Sequence, residues 1–179
     1  MRNFAATGIA VGILAAVSGG ALAGADLVHY PTNYRSEFTN YMRVDRPDRK
    51  TVRFFYVNPA ALEAAEPGAP LPHGTVLIME DHKAKLDTAG EEPERDALGR
   101  MVPTDEVTNV FVMEKQPGWG AAYPPEKRNG EWEYAWFLPD GSRRPDAKFD
   151  GCFGCHMSRA GDGRDFTFTF AKYVMDTKR

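Results

Sequence analysis

Cys152-Phe-Gly-Cys155-His156 is the stretch that most constrains this chain. It holds both cysteines of the 179-residue sequence, with a histidine directly after the second. A porphyrin carries two vinyl groups, and each takes one thiol as a thioether. In a helical segment, two intervening residues give the thiols the spacing of the vinyls, and the next residue brings an imidazole to the iron. The pentapeptide predicts one covalent haem c, attached through Cys152 and Cys155, with His156 as metal ligand. Two other chemistries use similar residues. A thioredoxin-like redox pair wants a helix N-terminus after a central strand in a βαβ setting, whereas these cysteines follow a Gly-bounded loop near the end of the chain. A structural zinc site wants a fourth ligand, and His29, His73 and His82 offer no paired spacing. A chain built on haem c must also fold a large apolar pocket. Its 11 Phe, 7 Tyr and 3 Trp supply walls for one, although most aromatics in any domain are simply core.

The opposite end bears on the compartment. Arg2 precedes an apolar run over 4–17 that is too short for a standard membrane span, and small residues follow as "ALA" (21–23) and "AGA" (23–25). This pattern predicts a secretory signal over 1–25, with the mature chain starting near Gly24 or Asp26, and a single domain over 26–179. The expected location is the periplasm, with no membrane insertion after cleavage. One cysteine pair cannot build a disulfide framework. A net charge of −3 gives no reason to expect nucleic acid or an anionic membrane surface as partner.

Between these ends the chain reads as strand-rich. Residues 26–31 look like an arm. Tyr34, Phe38, Tyr41 and Met42 recur at helical spacing, which predicts one short amphipathic helix over 32–46 capped by Thr32 or Asn33. "TVRFFYVN" (51–58) is a strand, and Asn58-Pro59 opens a short helix that stops before Pro67-Gly68. Strands follow over 73–83, 107–118 and 131–141, with a charged, Gly- and Pro-broken excursion over 87–106. "DFTFTFAKYV" (165–174) alternates Phe with Thr and predicts a last strand, with Phe166, Phe168 and Phe170 on one face. The fold class is α+β: an antiparallel β-sheet with a few short helices, covered on one face.

The motif's position discriminates among haem proteins. A small electron carrier usually has its haem motif near the N-terminus and a ligand methionine far downstream. Here Met157 is too close to His156 to reach over the haem, and Met175 ends a predicted strand. Met42, Met79, Met101 and Met113 lie upstream, and a methionine in a strand is more often core than ligand. Methionine is therefore not the expected iron ligand.

"FYVNPAAL" (55–62), "HGTVLIMED" (73–81), "NVFVMEK" (109–115), "WEYAWFLPDG" (132–141), "CFGCH" (152–156) and "DFTFTF" (165–170) occur in that order. Together they resemble the cytochrome P460 family, including its β-sheet cytochromes c′ (the c′-β type). The strands argue against the four-helix cytochromes c′. The resemblance implies a homodimer of small sheets with one haem c per subunit, His156 proximal and the distal position free or water-filled. Cytochromes P460 oxidise hydroxylamine and nitric oxide, helped by a cross-link from a lysine to the porphyrin. Their c′-β relatives lack it and bind nitric oxide behind a hydrophobic wall.

The sequence departs from the cross-linked members where a lysine is expected in or near "GTVLIMED". Met79 and Glu80 stand there, with Lys83 and Lys85 beyond and Lys115 closing the next strand. These lysines read as solvated strand ends. Alternation puts Val76, Ile78 and Glu80 on one face and Leu77 and Met79 on the other. Glu80 and Glu114 are the candidate catalytic acids or bases, since hydroxylamine oxidation must release protons, and His82 is a lesser distal candidate. One of Phe54 and Phe55 should wall the cofactor, with Met79 beside it. Arg159 is placed to meet a haem propionate or to make a local loop contact, within a basic neighbourhood that includes Arg144, Lys148 and Arg164. The function that follows is a periplasmic monohaem c-type cytochrome that binds or redox-converts small nitrogen oxides, with a soluble redox partner. If it is an enzyme, it is a hydroxylamine or nitric oxide oxidoreductase. The alternatives are an electron carrier with a six-coordinate haem, and a domain in which haem only stabilises the fold.

Overall fold

A computed structural model describes residues 24–178. Most of the predicted secretory signal, residues 1–23, lies outside the described residues. Five strands form one antiparallel sheet in sequence order: β1 (Thr39–Arg46), β2 (Thr51–Val57), β3 (Val76–Ala84), β4 (Pro103–Lys115) and β5 (Trp132–Phe137). Around it lie α1 (Tyr34–Glu37), α2 (Pro59–Ala64), α3 (Asp150–Met157) and α4 (Phe170–Thr177). The β-branched and aromatic runs became β2 to β5, and Pro59 opens α2 at its first position, where a missing N–H costs nothing.

Two elements differ from the sequence expectation. The helix predicted over 32–46 is a single turn, α1, followed by β1. Register slips between Asn40 and Met42 where β1 pairs with β2, leaving Tyr41 as an extra residue in a bulge. A bulge breaks the period of two, and its offset made the aromatic spacing look helical. The strand predicted over 165–174 is a turn followed by α4. Asp165 and Phe166 take positive φ angles of 48° and 59°. Two successive left-handed residues cannot extend a strand. Asp165 is held there because its carboxylate accepts hydrogen bonds from the Leu71 N–H at 2.9 Å and Lys115 Nζ at 2.8 Å.

Both faces of the sheet are covered, where one was expected. On the inner face Val57, Leu77, Met113, Trp132 and Tyr134 pack against Ala61 of α2, Phe153 of α3, and Phe170 and Val174 of α4. On the outer face Ile78, Val110, Val112, Ala135 and Phe137 pack against Val28 and Tyr34 of the N-terminal arm and α1. Arg143 ties the arm down through the carbonyls of Ala25 at 2.7 Å and Val28 at 2.6 Å.

Candidate functional site

Helix α3 carries the cysteine–histidine motif. Its buried Phe153 anchors it to the sheet, edge-on to Tyr134 at 5.0 Å and to Tyr123 at 4.8 Å. With Phe153 turned inward, the face bearing Phe149, Cys152, Cys155 and His156 lines a cavity of about 310 Å³ between α3, residues 167–169 and the inner face of the sheet. Both thiols are free. Burial pushes the Cys152 thiol up from its ordinary range, the reverse of an activated redox cysteine. Among the described residues no three His, Cys, Asp or Glu side chains are grouped to hold a metal ion.

His156 is oriented from behind. Its Nδ1 lies 2.6 Å from the main-chain oxygen of Phe166. A carbonyl only accepts, so Nδ1 carries the proton and Nε2 keeps a free lone pair, the arrangement of a metal-ligating histidine. The ring sits between Tyr134 at 5.0 Å and Phe168 at 5.2 Å. Burial lowers the imidazole's pKa and favours the neutral ligand form. The Phe166 carbonyl is presented by the left-handed turn that Lys115 and Asp165 hold together.

The facing wall is apolar: Phe55 of β2, Leu77 and Met79 of β3, Phe111 and Met113 of β4. Arg53 also lines it, but its charge is answered by a two-pronged pair with Asp81 at 2.6 and 2.7 Å. Its guanidinium lies over the Phe111 ring at 5.5 Å.

Cys152, Cys155, His156, Phe55 and Met79 line one cavity. Phe54 points to the outer face, against Val52, Ala84 and Met101. Glu80 is buried on that face too, away from the cavity, and Glu114 is bonded to Gln116 at 2.8 Å. Arg159 stacks on Phe168 at 4.4 Å and pairs with Asp162 at 3.3 Å, a local loop contact. Lys83 and Lys85 are exposed and paired with Glu106 and Glu94. Lys115 is no solvated strand end: it is buried between Asp165 and the Leu71 carbonyl. Sequence reasoning missed Arg53, whose alternation with Phe55 in β2 was a usable signal, and the Phe166 carbonyl, which left none.

Glu80 organises a separate network. It accepts hydrogen bonds from Tyr34, Tyr56, Arg35 and His82. The other ring nitrogen of His82 faces the Thr104 carbonyl at 2.8 Å, so both nitrogens face acceptors, which favours the protonated ring. Burial would raise the Glu80 carboxyl, but the bonds from His82 and Tyr34 and the charge of Arg35 outweigh it and hold it below its usual range. The bond to Glu80 pushes His82 up against its own burial. The carboxyl's contribution is present above its unfolded pKa of about 4.3 and fades as pH falls through the depressed folded value. The imidazolium's contribution is complete below about 6.5 and fades as pH rises through the raised folded value. Thermal melts from pH 5 to 9 should show stability declining on the alkaline side. His82→Gln should flatten that decline, and an unchanged alkaline slope would remove His82 as its source.

Among the described residues no helix is long and apolar enough to cross a membrane. No curated protein matches the chain. A family model described as Cytochrome P460 matches residues 31–169, most of the sequence.

Proposed function

The chain belongs to the cytochrome P460 family, and from that premise we propose that it is a periplasmic monohaem c-type cytochrome whose distal face receives nitric oxide or a similarly small nitrogen compound. One observation carries this reading: two free thiols and a histidine with an unengaged Nε2 share one wall of an apolar cavity. Those residues fit haem c. Cys152 and Cys155 would hold it through thioethers and His156 Nε2 would be its protein ligand. When bound, haem supplies an iron with one further position for a small ligand.

The chain's own residues do the rest. The Phe166 carbonyl fixes the imidazole tautomer and the plane of the ring. Phe55, Leu77, Met79, Phe111 and Met113 exclude water and favour an uncharged diatomic over a polar ligand. No carboxylate lines the cavity among the described residues. Oxidation of hydroxylamine needs a nearby proton acceptor, so the lining favours ligand binding and electron transfer over that chemistry. Lys83, Lys85 and Lys115 are absent from the lining as well, which speaks against a lysine cross-link. On this reading the mature protein works as a homodimer with a soluble redox partner.

A methionine-ligated, six-coordinate electron carrier is the second reading, because Met79 and Met113 both line the cavity. The Met79 sulfur already lies 3.7 Å from Arg53 Nη1, a contact that competes with ligation. The optical spectrum of the exported, reduced protein separates the two. A high-spin spectrum that changes on adding nitric oxide is expected. A sharp low-spin α band, unchanged by nitric oxide, would establish the carrier instead, and a strongly red-shifted Soret band would reinstate the cross-link.

A further inference from the structure

Glu133 is a buried acid whose donors, the Gly120 N–H among them, are all neutral, and burial raises its carboxyl above the usual range. It stands on the outer face of β5, is 0 % exposed, and accepts hydrogen bonds from the main-chain N–H of Gly24 at 3.0 Å and the Tyr123 hydroxyl at 3.0 Å. Neither partner is a cation. Directly across the β4–β5 ladder lies Glu114, a second carboxylate. A buried carboxylate with only neutral donors and a like charge opposite is costly.

The donor from Gly24 falls at the place where the sequence offers a leader cleavage. "ALA" at 21–23 predicts a cut between Ala23 and Gly24, and "AGA" at 23–25 predicts one after Ala25. The fold distinguishes these. The Gly24 carbonyl accepts the Leu27 N–H at 3.1 Å, and the Ala25 carbonyl accepts both the Val28 N–H at 3.2 Å and Arg143 at 2.7 Å. Cleavage after Ala25 would discard these contacts, whereas cleavage after Ala23 keeps them all.

We propose that removal of the leader between Ala23 and Gly24 completes an ion pair inside the fold, between the new Gly24 ammonium and the buried Glu133 carboxylate. A leader-cleaving endopeptidase adds water across the Ala23–Gly24 peptide bond. The carboxylate leaves with the leader, and the amine released on Gly24 takes up a proton. A free α-amino group titrates near 8 and is largely protonated at neutral pH. The uncut chain offers Glu133 one neutral amide donor at this position. The cut chain offers a charged group with three donors at the same place. Glu133 precedes Tyr134, whose ring faces His156 on the other side of the sheet, so the pair braces the strand beneath the thiol-bearing helix. Processing thereby stabilises the folded domain, and the leader-bearing chain lacks that stabilisation while it is exported.

The test uses the full chain exported with its own leader. Intact mass should give Gly24 as the first residue; a start at Asp26 would overturn the proposal. A serine inserted between Ala23 and Gly24, its cleavage checked by mass, moves the ammonium one residue away and restores the neutral amide. This variant should melt roughly 6–15 °C lower, and an unchanged melting temperature would overturn the proposal. Glu133→Gln should lower the melting temperature of the normally processed protein. In the serine-insertion background it should leave it unchanged or raise it, because there it removes an unpaired buried charge. The same loss in both backgrounds would show that the neutral hydrogen bond suffices. If Glu133→Gln fails to fold in the processed protein, the insertion variant alone decides.

Discussion

His156→Gly should yield a protein that still attaches haem through Cys152 and Cys155 but has lost the spectrum of a histidine-ligated iron. Added imidazole should restore that spectrum. The glycine leaves room behind the helix, since the imidazole it removes is half-buried between the rings of Tyr134 and Phe168. The Phe166 carbonyl stays in place because Asp165 holds its turn. Free imidazole can therefore enter, donate one N–H to that carbonyl and present its other nitrogen as the missing ligand. Loss of the ligand should be essentially complete without imidazole, visible in the ferrous spectrum. An unaltered spectrum would remove His156 from the iron.

Lys115→Met should destabilise the domain by about 3–5 kcal/mol, read from denaturant unfolding, because it strands the Asp165 carboxylate in a buried site. The side chains of Lys115 and Asp165 are only 8 % and 12 % exposed, so solvent screening offers little relief. The Lys115 ammonium also donates to the Leu71 carbonyl at 2.8 Å and lies 5.9 Å from the centre of the Trp132 ring. Its loss therefore loosens three elements together. Replacing both partners, Lys115→Met with Asp165→Leu, should recover most of the stability, as apolar substitutes for buried ion pairs commonly do. Only a positional role predicts a second effect. The pair fixes the turn that aims the Phe166 carbonyl, so both the single and the double variant should shift the iron–histidine vibration of the ferrous protein. A loss below about 1 kcal/mol for the single variant would mean that the pair is effectively solvated.

Most of the sheet was readable from side-chain alternation. β2 through β5 bury one or both faces and announce themselves through β-branched and aromatic residues. β1 was hidden because the bulge at Tyr41 shifts the aromatic spacing toward a helical period. "DFTFTF" misled in the opposite direction. Its alternation reflects two separate tasks: Phe166 and Phe170 pack into the inner core, and Phe168 flanks His156. None of these needs extended backbone. The outer cover of the sheet was also obscure, because an arm of six residues carries too little pattern to reveal what it lies on. At the site, the thiols and the imidazole are chemistry written in the sequence. The group that orients the imidazole is a main-chain oxygen, which no residue type encodes. Glu80 and Glu114 looked suitable by composition, and alternation had already placed Glu80 opposite Met79. Burial on the outer face follows from that period of two.

Each strand of the sheet pairs with its immediate neighbours in the chain, through four successive antiparallel ladders. Such an order of pairing needs no late segment to complete an early one, and short-range closure of this kind is kinetically undemanding. Cys152 lies beyond the last strand. A chain delivered N-terminus first can thus finish its meander before either thiol arrives. On the proposed reading, attachment of the porphyrin is then a late event, made against a sheet whose five strands all precede the thiols in the chain.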